Sequence, residues 1–126
     1  MENRKKLRVA ADLKKNRLYI TIAGRLNKKD LDGLYTDIRF GVADLKPGFD
    51  VITDLSECTL AALSGFTTFN KITNHLLASD VGKVIRIIDE RRIIFKQILN
   101  SAARIKGYTP IYVKSLEEAE KELQRS

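Results

Sequence analysis

The sequence predicts a single-domain α/β protein over residues 1–126, with a mainly parallel sheet of about five strands, an N-terminal antiparallel hairpin and four helices. Three observations lead there. Short segments rich in β-branched residues alternate with longer segments of helical periodicity, the pattern of strands joined by right-handed crossovers. Only the first two β segments are joined by a short turn, so only the first strand is expected to run antiparallel. The length of 126 residues is of one-domain size and long enough to bury a core without disulfide or metal staples.

Leu7 to Leu13 is apolar-rich and β-compatible, Lys14-Lys15-Asn16 reads as a turn, and Leu18-Tyr19-Ile20-Thr21-Ile22 is dense in β-formers. Ala23-Gly24-Arg25 is expected to end the second strand, and Asn27 to cap the helix that follows. Lys28 to Lys46 is the clearest helix. Leu31, Leu34, Tyr35, Ile38, Val42 and Leu45 draw one apolar stripe on it, while Asp30, Asp32, Asp37, Arg39 and Asp44 fall off that stripe. Pro47-Gly48 stops the helix.

Phe49 to Leu55 is the next strand. A helix from near Leu63–Gly65 to about Ala78 turns Phe66, Phe69, Ile72 or Thr73, and Leu76 with Leu77 inward. After Gly82, Lys83 to Ile88 is a strand. Asp89 caps an expected helix from Arg91 to Lys106, with Ile94, Ile98, Ala102 and Ile105 inward and Gly107 at its end. Pro110 to Val113 is the last strand. Ser115-Leu116-Glu117-Glu118 is a capping box opening a helix from Leu116 to about Gln124.

Apolar content of 44% and charged content of 31% describe an ordinary soluble globular chain. No apolar run approaches the roughly 20 residues that cross a bilayer. The charged N-terminus has no apolar stretch behind it, so it is not a secretory signal. Cys58, the single cysteine, cannot form an internal disulfide, which fits the cytoplasm. The net charge of +7 is uneven: residues 1–29 hold ten Lys or Arg against two acids, and the remainder is close to neutral. This basic end is either a solvated hairpin or a patch for nucleic acid, an anionic membrane surface or an acidic partner. Tyr19 is its one aromatic residue, so nucleic-acid binding through 4–29 would rest on phosphates and fall steeply with salt.

Catalytic signals are scarce. His75 is the only histidine and reads as a structural or surface residue. Cys58 has no CxxC partner and sits beside Glu57, which disfavours a thiolate, so it reads as a small, partly buried residue. Neither GxxxxGK[ST] nor GxGxxG occurs, and no Ser-His-Asp set is in a plausible arrangement. Asp54, Asp89 and Ser64 could converge at the carboxyl ends of the parallel strands, the usual ligand crevice, but no base, metal cluster or phosphate loop accompanies them. A non-enzymatic protein without cofactor or metal is expected.

Residues 49–66 are the most informative stretch. A buried strand ends in Asp54-Leu55-Ser56, a loop follows, and Ser64-Gly65 opens a helix. A serine there either caps the helix or accepts a phosphate. Helix N-terminal amides favour the anion, and the missing Cβ of Gly65 leaves the backbone open. A phosphate would add about −1.5 to −2 charges at that surface.

Residues 17–123 resemble a STAS domain, the fold of bacterial anti-anti-sigma factors. Leu18 to Asn27 is similar to the family strand ending in a Gly-Arg-Leu-Asp-type turn, and Val51 to Ser56 to its central strand ending in Asp-Leu-Ser. The family motif Asp-Ser-Ser-Gly-Leu falls on Ala62, Leu63, Ser64, Gly65 and Phe66, and Val113 to Ala119 resembles the closing strand and Ser-x-Glu-Glu-Ala helix start. The resemblance implies a protein-interaction domain of bacterial signalling and transcription regulation. Its partner would be a regulatory serine kinase that is also an anti-sigma factor, bound through Asp54, Ser56, Ser64, Gly65 and Phe66. Ser64 takes the place of the family's phosphoacceptor, although the family's preceding Asp and Ser are replaced by Ala62 and Leu63. An unpaired hairpin edge would also invite homodimerisation, which Lys14, Lys15 and Arg17 near that edge would oppose.

Overall fold

The computed structural model describes residues 5–60, 65–89, 91 and 109–124. Strands β1 (Lys6–Asp12) and β2 (Arg17–Leu26) form the expected hairpin, with Lys6 opposite Ala23 and Asp12 opposite Arg17. The Lys15 N–H donates to Asp12 Oδ1 at 3.0 Å, and Asn16 takes a left-handed conformation at φ 54°, which asparagine tolerates. Asn16 also ties the hairpin to a segment thirty residues on. Its Nδ2 donates to Lys46 O at 3.1 Å, and the Lys46 N–H donates to Asn16 Oδ1 at 2.8 Å.

Helix α1 (Lys28–Ala43) starts as predicted. Asp30 N–H donates to Asn27 Oδ1 at 2.8 Å and Asn27 N–H to Asp30 Oδ2 at 3.0 Å, a complete capping box. The backbone bond from Asn27, and then Lys5 at 2.9 Å, hold the Asp30 carboxyl below its ordinary pKa. A depressed carboxylate contributes stability above its unfolded pKa and loses it as pH falls through the folded value. Replacing Asn27 by alanine removes the acceptor of the Asp30 N–H and is expected to cost about 1 kcal/mol. The cost is expected at neutral and acid pH alike, because alanine keeps the main-chain N–H that Asp30 Oδ2 accepts, whereas Asp30→Asn is expected to lose the pH-dependent part. Urea unfolding at several pH values measures both.

The helix stops three residues before the expected Lys46. Leu45 N–H donates to Val42 O at 3.0 Å, and Lys46 has given its N–H to Asn16, so the ladder cannot continue. Leu31, Leu34, Ile38 and Val42 are buried, and Tyr35 and Leu45 half-buried.

The chain continues through β3 (Asp50–Asp54), β4 (Cys58–Leu60), α2 (Gly65–Ala78), β5 (Val84–Ile87), β6 (Ile111–Val113) and α3 (Leu116–Gln124). The main sheet has the order β1-β2-β3-β5-β6, antiparallel at β1-β2 and parallel elsewhere. Three of the four expected helices are thus described. The one expected at Arg91 to Lys106 falls, apart from Arg91 itself, outside the described residues.

One expectation is corrected at β2. Ala23-Gly24-Arg25 does not end the strand, which runs to Leu26 by changing partner. Gly24 sits at φ 86°, a conformation open to glycine, and its N–H donates to Glu57 O at 2.8 Å. From there Gly24–Leu26 pair in parallel with Cys58–Leu60, a sixth strand that the local sequence did not announce.

Alternation along the strands divides the core into two layers. Leu18, Ile20, Ile22, Val51 and Val84 pack with Leu34, Ile38 and Val42 of α1 and Phe69, Ile72 and Leu76 of α2. Ile52, Ile85, Ile87 and Val113 face the other way, with Ala119 of α3. Thr73 is buried beside Ile72 and Leu77 half-buried, while the Phe66 side chain lies outside the described residues. A Cβ at Gly82 would lie 2.6 Å from Gly48 O and 2.7 Å from Asp50 Oδ1, so the approach to β5 has room only for glycine. At α3, Glu118 N–H donates to Ser115 Oγ at 3.1 Å, but Glu118 Oε2 accepts from Lys114 N–H at 3.2 Å, one residue ahead of the reciprocal bond expected.

Candidate functional site

The carboxyl end of β3 is built by a local turn on a buried root. Leu55 is 1% exposed and donates its N–H to Ile87 O at 2.8 Å, so the sheet holds it. On either side of it, Asp54 and Ser56 are half-buried and bonded to each other. Ser56 gives its N–H to Asp54 Oδ1 at 3.0 Å and its Oγ–H to the same oxygen at 2.6 Å. This is the aspartate turn that such a side chain makes with the backbone two residues on. Asp54 Oδ2 is left without a partner among the described residues.

Cys58 N–H then donates to Leu55 O at 3.1 Å and closes the turn. Cys58 is fully buried rather than partly buried, because β4 carries it into the core, and its role there is packing. The chain re-enters the described residues at Gly65, the first residue of α2. Asp54, Ser56 and the backbone of Gly65 are therefore placed, while Ser64 and the Phe66 side chain fall outside the described residues.

Asp89 follows β5 at this same end of the sheet. Its Oδ1 accepts the Arg91 N–H at 2.9 Å and its Oδ2 accepts from Arg91 Nη2 at 2.8 Å; the helix it was expected to cap lies, apart from Arg91, outside the described residues. The hydrogen bond to Asp89, and then its charge, raise the Arg91 pKa. His75 is not here. It lies near the far end of α2, edge-on to Tyr35 with ring centroids 6.2 Å apart.

Two cations of the basic N-terminal segment are engaged within the fold: Lys5 with Asp30, and Arg17 Nη1 with Glu120 Oε1 at 3.0 Å. Burial works to lower the Arg17 pKa, and is outweighed by Tyr19 and Glu120, which raise it.

Two features escaped the sequence reading. Arg86, in the middle of an apolar strand, is buried at 6% exposure, donates to Tyr112 Oη at 3.0 Å and lies 5.9 Å from that ring's centroid. Its charge in a run of valines and isoleucines was the available signal. The second is an apolar groove at the end of α1, beside Phe40, which no local pattern marks.

No protein-family model matches the chain, and no curated protein matches it. Solved structures do. An uncharacterized protein of the DUF3478 family from Shewanella loihica PV-4, described as having a SpoIIAA-like fold, superposes with a TM-score of 0.72 at 13% identity over 98% of both chains. The Bacillus cell fate determinant SpoIIAA in its phosphorylated form gives 0.60 at 12% identity, covering 94% of this chain and 99% of that one. An anti-sigma factor antagonist from Mycobacterium paratuberculosis gives 0.60 at 17% identity over 94% and 93%. These likenesses show the fold: the chain is built on the SpoIIAA-like plan. No described helix is long and apolar enough to cross a membrane.

Proposed function

We propose that this protein acts as one domain, a non-enzymatic interaction module of bacterial signalling and transcription regulation in the cytoplasm. It works as an anti-anti-sigma-like switch. Its docking surface is the carboxyl end of β3 and the start of α2, its partner is a regulatory serine kinase or anti-sigma-like protein, and Ser64 is the regulated position. The observation that carries this reading is the Asp54–Ser56 turn. It presents a fixed polar edge just ahead of α2, in a fold shared with phosphorylated SpoIIAA. Gly65 lets a partner approach the helix start, and Phe66 supplies apolar contact. The engagement of Lys5 and Arg17 inside the fold weighs against a nucleic-acid or anionic-surface role for 4–29.

Capture from a lysate of the native organism tests this, with wild type beside Ser64→Asp and Ser64→Ala at low and moderate salt. Wild type and Ser64→Ala are expected to retain a kinase or anti-sigma-like protein. Ser64→Asp is expected to bind it about tenfold more weakly or worse, because a charge is forced into the interface, with an unchanged thermal transition. Equal capture by Ser64→Asp sinks the switch. Capture that ignores residue 64 and vanishes with salt moves the function to the basic N-terminal segment.

A further inference from the structure

At the opposite end of the domain from Asp54, a groove of about 550 Å³ opens between the last turns of α1 and α2. Val42 and Leu45 contribute its apolar floor, and Phe40, which is 74% exposed, stands at the rim. Arg39 and His75 face it from the two helices. Arg39 is the only formally charged lining residue. Its guanidinium carbon lies 5.6 Å from the Tyr35 ring centroid, and no carboxylate pairs with it among the described residues. His75 is steadied edge-on against the same tyrosine.

Size and chemistry together select the occupant. The volume falls within the range of small-molecule sites, which are concave, mostly apolar and carry a few convergent polar groups. A stable protein interface covers about 800 Å² on each partner, far more than this groove offers. A cation without an acidic partner at the side of an apolar trough suits a carboxylate, which a guanidinium can bind through two parallel hydrogen bonds.

We propose that this groove binds a small amphipathic carboxylic acid, its tail on Val42, Leu45 and Phe40 and its carboxylate on Arg39. The site is independent of Ser64 and of the docking surface at Asp54.

The test uses the full chain, labelled with 15N, and titrates decanoate and the uncharged decanol below their aggregation limits. Saturable amide shifts at Phe40, Ala43 and His75 are expected with decanoate, with decanol about tenfold weaker. Arg39→Gln is expected to weaken decanoate about tenfold and leave decanol unchanged, since a charge-assisted bond is lost. Ala43→Phe, at an exposed position on the groove wall, is expected to abolish binding of both probes without unfolding the protein. Absence of shifts, shifts confined to other residues, or unaltered decanoate affinity in Arg39→Gln would each overturn the proposal. So would a concentration-dependent dimer that Ala43→Phe abolishes, which would assign the groove to a second copy of the chain.

Discussion

Replacing Phe49 by alanine is expected to destabilise the protein by about 3–5 kcal/mol, the range for an aromatic side chain deleted from a close-packed core. Phe49 is 1% exposed and belongs to the layer between the sheet and helices α1 and α2. Its backbone sits where three segments meet. The N–H donates to Lys46 O at 3.1 Å, and the carbonyl accepts from Gly82 N–H at 2.6 Å. Those bonds hold the main chain in place, so the core cannot collapse into the space the ring leaves, and the cavity term is felt in full. Against the total of about 5–15 kcal/mol typical of a domain, the loss is a large fraction. Urea unfolding followed by circular dichroism measures it, with Phe49→Leu as the volume-sparing control. A cost below about 1 kcal/mol for Phe49→Ala would show that the ring does not seal this end of the core.

What the sequence disclosed follows the reach of each interaction along the chain. The α1 stripe and the Asn27 cap involve residues three or four apart, and both were legible, while the reciprocal bond from Asn27 N–H to Asp30 that completes a capping box was added by the structure. The end of α1 was not, because its stop depends on Asn16, thirty residues earlier, taking the Lys46 N–H. The same holds for β4. Three residues carry no usable alternation, and Cys58–Leu60 become a strand only because Gly24 turns the end of β2 towards them. Arg86 was visible as a charge in an apolar strand, but its burial against Tyr112 depends on β5 and β6 lying side by side. At the candidate site, the strand ending in Asp54-Leu55-Ser56 was readable, but the two hydrogen bonds by which Asp54 Oδ1 holds Ser56 emerged only from the structure. The groove beside Phe40 was hidden, because its walls come from two helices that meet only in the folded protein.

The second large effect is expected at Asp54, and it rests on the proposed docking role. Its Oδ1 accepts both the N–H and the hydroxyl of Ser56, so Asp54→Ala frees two donors at once and lets the turn relax. Leu55 stays rooted through Ile87 O, so the sheet is expected to survive with its transition lowered by only a few degrees. Affinity for the captured partner is expected to fall about tenfold or more, because the turn would have to be ordered again on binding. Asp54→Asn separates the two ways an aspartate can act. It keeps an Oδ1 acceptor for Ser56 and removes the charge, so a residue that shapes the turn predicts recovery of most of the affinity. We expect that recovery, since the oxygen engaged with Ser56 is the one the turn needs. A variant Asp54→Asn as weak as Asp54→Ala would mean that the partner reads the carboxylate itself through Oδ2. Full affinity in Asp54→Ala would take this end of β3 out of the interface.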